Sequence, residues 1–156
     1  MTDVSSIIRV LSGNPRDQQA TALLQASHAL MQSLFSPEEN HFLSIDELCA
    51  PEIQFFIARE GDKTLGCVAL ANHGDYGEVK SMFIDPAARG KGIGHKFMRH
   101  LETEGRAQRL LSIKLETGNK LVQAHNLYRA HGFVECKPFG NYQANSSSIF
   151  MKRDLT

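Results

Sequence analysis

Between residues 78 and 115 the pattern runs from strand to helix and back to strand, and this succession constrains the fold more than any other feature. Glu78–Ile84 reads as a strand, and a glycine-rich stretch follows. Gly92–Ala107 then places Ile93, Phe97 and Leu101 four apart on one helical face, and Leu110–Leu115 reads as a buried strand. Two strands joined by a crossover helix pair in one sheet as parallel neighbours. Everything around them predicts antiparallel pairing. Gln54–Arg59, Thr64–Ala71 and Glu78–Ile84 are separated only by the turns at Gly61-Asp62 and His73-Gly74-Asp75, the spacing of a meander.

The remaining elements fit around that centre. Ile7–Leu11 reads as a first strand. Asn14-Pro15 predicts an N-cap and first helical position. The helix should run to about Phe35, with Ala20, Leu23, Leu24, Leu30, Met31 and Leu34 on its core face. Ser44 and Glu47 form a capping box for a short helix ended by Pro51. Lys120–His131 reads as a helix closed by Gly132, and Phe133–Cys136 and Ser148–Lys152 as the last strands. The expected fold class is α/β in the mixed α+β sense. Its twisted sheet is mostly antiparallel with one parallel pair, flanked by about four helices.

A length of 156 residues suits a single domain over 1–156. The 17 Lys+Arg balance 17 Asp+Glu, which argues against a nucleic-acid partner. Apolar runs such as Phe55–Ala58 are far too short to span a membrane. Met1–Ser6 lacks the cationic cluster and apolar stretch of a signal peptide. Three cysteines, Cys49, Cys67 and Cys136, make neither a disulfide framework nor a zinc pattern. They are expected to be small buried apolar residues in a reducing, cytoplasmic setting. The histidines show no coherent ligand spacing, so no metal is expected.

Arg89-Gly90-Lys91-Gly92-Ile93-Gly94 lies between a strand and a helix, where unpaired helix-terminal amides attract an anion. The glycines leave the backbone open to phosphate oxygens, and Arg89 and Lys91 add charge. A dinucleotide fingerprint would need glycine at His95, and a P-loop would need Ser or Thr at Gly92.

The surviving pattern, after Met82-Phe83-Ile84-Asp85-Pro86, resembles the pyrophosphate loop of the GNAT family of N-acetyltransferases, Arg/Gln-x-x-Gly-x-Gly/Ala. Arg89, Gly92 and Gly94 fill its fixed positions. A second family signature is similar to Ala124-His125-Asn126-Leu127-Tyr128-Arg129-Ala130-His131-Gly132-Phe133, about 30 residues later with one strand between. The resemblance implies direct transfer of an acetyl group from acetyl-CoA to a primary amine through a tetrahedral intermediate. The parallel pair would splay around the donor. Pyrophosphate would rest on Gly90–Gly94, with Arg89, Lys91 and Ile93, and the pantetheine arm would pair with the backbone of Met82, Phe83 and Ile84. Ala124 and Tyr128 would contribute from the second signature, with Tyr128 protonating the departing thiolate.

For the base, the resemblance points to Glu78, with Glu116, His73 and a relayed water as alternatives. Many members carry a polar residue where Leu121 stands here, and Asn119 is the candidate replacement. Acceptor recognition falls to two segments: Ser36–Leu43, with Glu38, Asn40 and His41, and Lys137–Tyr142, with Phe139 and Tyr142. The acceptor is a small molecule or a protein, and a homodimer is expected. A non-catalytic acyl-CoA-binding regulatory module is the alternative function.

Overall fold

Alternation along β2 (Ile53–Glu60) and along β3 (Lys63–Asn72) beyond a bulge at Leu65 sorts the core onto both faces of one sheet. Phe55, Ile57, Cys67 and Ala69 gather with Ala20, Leu23, Leu24 and Leu48, whereas Phe56, Ala58, Val68 and Leu70 gather with Phe97 and Leu101. The computed structural model describes residues 7–156. Residues 1–6, where no signal peptide is expected, lie outside the described residues. The sheet also contains β1 (Ile8–Ser12), β4 (Tyr76–Ile84), β5 (Ser112–Gly118), β6 (Val134–Glu135) and β7 (Ser148–Asp154), in the order β1-β2-β3-β4-β5-β7-β6. Helices α1 (Gln18–Leu34) and α2 (Ile45–Leu48) belong to the first side, and α3 (Ile93–Ala107) and α4 (Val122–Ala130) to the second. Among the described residues no helix is long and apolar enough to cross a membrane.

The sheet is antiparallel except at β4 and β5, as the crossover predicts. That parallel ladder is short. Tyr76, Gly77 and Glu78 pair with Ser112, Ile113 and Lys114, and beyond them the strands part. On its other edge β4 carries a bulge, with Ser81 and Met82 set against Val68 alone and Ser81 at a φ of 55°. A bulge bends and twists its strand, which steers β4 away from β5.

Several expectations need correction. α1 begins at Gln18, capped by Asp17, whose carboxylate accepts from the amides of Gln19 (3.2 Å) and Ala20 (3.4 Å). Asn14 instead closes a turn, its side chain accepting from the Arg16 amide at 2.9 Å. Cys67 is buried, its thiol pushed up to about 12 by burial, but Cys49 is exposed and Cys136 half-buried. β6 shrinks to two exposed residues because Phe133 turns inward, its amide donating to the Tyr128 carbonyl at 3.1 Å.

Candidate active site

Three adjoining spaces lie around the parting of β4 and β5. On one side lies a cleft of about 790 Å³. Its walls are Met82, Phe83 and Ile84 of β4, the Arg89–Gly94 turn, Leu121, Ala124 and Tyr128 around α4, and Leu30, Met31 and Leu34 of α1. These α1 residues are only half-buried, lining the cleft instead of filling the core as their spacing predicts.

The turn presents a helix N-terminus to the cleft. Asp85 caps a short 3₁₀ turn, Pro86–Ala88, by accepting from the Ala87 amide at 3.0 Å. Gly90 and Gly92 take φ of 84° and 77°, and Gly92 is the N-cap of α3. A side chain would strain that backbone. Gly94 serves packing instead, since a Cβ there would sit 2.9 Å from Leu127 Cδ2. The exposed α3 amides beside Arg89 can receive phosphate oxygens. Two sequence candidates face elsewhere. Lys91 does not line the cleft, and its ammonium lies 3.7 Å from Glu60. Asn119 also lies outside the lining, its side chain donating to the Ser146 carbonyl at 3.2 Å.

A narrow passage of about 120 Å³ continues from the cleft between the parted strands, lined by Ser81, Met82, Glu116, Thr117, Leu121 and Tyr128 among others. Tyr128 borders both spaces and is 6% exposed. Its hydroxyl makes no hydrogen bond among the described residues, and burial, then the charge of Glu116, hold its ionisation above the ordinary phenol range. It therefore remains a proton donor at neutral pH. Glu116 accepts from Ser148 Oγ at 2.6 Å.

Beyond the passage lies a wider cavity of about 1060 Å³. Glu78, buried on β4, is its centre. One carboxylate oxygen lies 3.0 Å from His73 Nε2, and the other accepts from the Tyr142 hydroxyl at 2.5 Å. Lys80 donates to Tyr142 Oη and to the His41 carbonyl, both at 2.9 Å, and stands 3.5 Å from Glu78. Burial, followed by the bond to Glu78, keeps the Tyr142 phenol protonated. Glu38, Glu39, Glu47 and Glu52 also line the cavity, where Lys80 is the sole Lys or Arg among the lining residues. The backbone amides of Ser36 and Ser44 hold Glu39 and Glu47 below the usual carboxylate range, so both stay charged.

The structure thus brings Glu78, His73, His41 and Tyr142 together and puts Glu38 on the same wall. Asn40 lines the passage instead, donating to the carbonyls of Phe35 (3.2 Å) and Ser36 (3.1 Å). Phe139 is buried outside the cavity lining, its ring 5.2 Å from Tyr142 and 5.9 Å from Phe150. Sequence reasoning missed Lys80. The available signal was its place two residues from Glu78, on the same strand face.

Comparison with known proteins adds a consistent picture. Residues 51–135 match the family model described as an acetyltransferase (GNAT) domain. The IAA acetyltransferase of Azospirillum brasilense is 35% identical over 150 residues, covering 95% of this chain and 98% of that protein. A Klebsiella pneumoniae chain described as a candidate acyl-CoA N-acyltransferase superposes with a TM-score of 0.80 at 26% identity, covering 97% of this chain and 99% of that one. A Bacillus subtilis acetyltransferase solved in complex with CoA shares the fold, with a TM-score of 0.73 at 17% identity, over 96% of this chain and all of the other, 100%.

Proposed function

Because the chain belongs to the GNAT acetyltransferase family, we propose that it transfers the acetyl group of acetyl-CoA directly to a primary amine through a tetrahedral intermediate. The observation that carries this reading is the run of adjoining spaces from the glycine-lined cleft, past the parting of β4 and β5, to the carboxylate-lined cavity, the middle one sharing Met82 and Tyr128 with the first and Lys80 and His41 with the last. Such a run lets donor and acceptor occupy the protein together, with the thioester in the passage. The excess of glutamates in the cavity suits a protonated amine.

In this reading Glu78 takes the amine's proton, directly or through water, and the freed nitrogen attacks the thioester carbonyl. The C–N bond forms, the C–S bond breaks as the intermediate collapses, the sulfur receives the Tyr128 proton, and the second proton that nitrogen loses on becoming an amide returns through water to the Tyr128 phenolate. His73 holds Glu78 at one carboxylate oxygen. The reducing compartment inferred for the free cysteines suits this chemistry.

Thiol release from acetyl-CoA, measured against a panel of primary amines, tests the proposal. Release with at least one amine is expected. Coenzyme A binding with no release for any amine would instead support an acyl-CoA-binding module.

Two further outcomes are expected. Arg89→Ala should weaken coenzyme A binding about 10- to 100-fold by calorimetry, the range of one charge-assisted hydrogen bond, because the main-chain amides remain. The chain is also proposed to form a homodimer through the sheet end at β6, where two residues leave part of β7 without a strand partner. Sedimentation at micromolar concentration should show twice the 17.3 kDa chain mass, and a single species at the chain mass would defeat the dimer.

A further inference from the structure

We propose that Lys80 is the positioning residue of the acceptor site, a single buried ammonium that ties two separate loops to β4 and fixes Glu78 between them. The inference rests on the acetyltransferase reading for the name of the site, but its geometry stands without it. The Lys80 side chain is only 10% exposed, and a cation so placed must satisfy its N–H groups. Its partners come from three segments: the His41 carbonyl before α2, the Tyr142 hydroxyl after β6, and the Glu78 carboxylate two residues away. Tyr142 then donates to Glu78, closing a triangle. The ammonium's charge also reaches Glu47, helping to keep that carboxylate ionised.

The two loops held this way are the two acceptor segments singled out in the sequence. Removing the ammonium leaves the His41 carbonyl without its donor and Tyr142 bonded to Glu78 alone. Both loops then loosen at once. The cofactor turn at Gly90–Gly94, on the far side of the passage, keeps its own hydrogen bonds and is unaffected.

The test uses Lys80→Met, which keeps the length of the side chain and loses the charge. Hydrogen exchange, followed by mass spectrometry, should accelerate about tenfold or more in both 36–43 and 139–147, and stay unchanged in 90–94. With the panel amine that gives the fastest thiol release, KM for the amine should rise about tenfold or more, the scale of one lost charge-assisted bond, while KM for acetyl-CoA stays within about twofold. Unchanged exchange in either loop, or a parallel rise of both KM values, overturns the proposal. Should Lys80→Met not fold, Tyr142→Phe cuts the two sides of the triangle that meet at the hydroxyl and keeps the Lys80 bond to the His41 carbonyl. It should release 139–147 and leave 36–43 protected, and unaltered protection of 139–147 would equally overturn it. If no amine releases thiol, the acetyltransferase reading fails, and the exchange measurement still decides the role of Lys80.

Discussion

Gly92→Val should abolish coenzyme A binding while the protein stays folded. Nothing lies within 4 Å of a Cβ at this position, so the valine meets no clash. The obstacle is the backbone, held at a φ of 77°, where a β-branched residue costs about 1–3 kcal/mol. A surface turn relieves that strain by rotating its peptides, which moves the first α3 amides out of the cleft. Calorimetry should show a loss beyond about 100-fold, since several main-chain contacts to phosphate go together. Gly92→Asn should lose less, because asparagine tolerates the left-handed region. Full affinity in the valine variant would remove the turn from the binding site, and with it the placement of the donor.

Tyr128→Phe and Glu78→Gln should each lower kcat by roughly 10²–10⁴-fold, the range of general acid–base catalysis, with acetyl-CoA binding retained. The tyrosine variant is expected at the lower end, because a thiolate leaves readily. It keeps the ring, which lies 5.9 Å from Phe133, and loses only the hydroxyl. Since burial raises the Tyr128 ionisation, wild-type activity should show no alkaline decline from this group below pH about 10. Glu78→Gln keeps the shape of the carboxylate and its contact with His73 but cannot accept a proton. Wild-type kcat in either variant would reassign that proton, to Glu116 or water for the base and to water for the acid.

The glycine-rich turn was legible in the sequence because it is local. The glycines at 90, 92 and 94, the strand before them and the helix after them are consecutive, and a turn at a helix terminus follows from their order. The capping box at Ser44 and Glu47 was equally readable and forms, the Glu47 amide donating to Ser44 Oγ at 3.1 Å. Asn14 misled for the same reason. Asn14 and Asp17 can both cap a helix, and local propensity does not choose between two competent neighbours.

Side-chain direction on the surface was not legible. Lys91 belongs to the glycine-rich turn by sequence, yet points to Glu60, thirty-one positions earlier, because the fold brings the end of β2 close to the turn. Leu30, Met31 and Leu34 obey helical periodicity, but that periodicity is the same for a helix face that fills a core and one that walls a cleft.

The sequence by itself determined the parallel crossover and the glycine-rich turn at a helix terminus, because each depends on residue type and short-range spacing, while the family resemblance pointed to Glu78 and Tyr128 as proton-handling candidates. Tertiary structure alone decided that Glu78, Lys80 and Tyr142 close one triangle, and that the carboxylate-lined cavity and the glycine-lined cleft flank one narrow space between them. Tyr142 is 64 positions from Glu78, and no local rule couples them. They meet because β4 and β5 pair at only three positions before parting, a separation produced by the bulge at Ser81 and Met82 and by the loops that pack into the space it leaves.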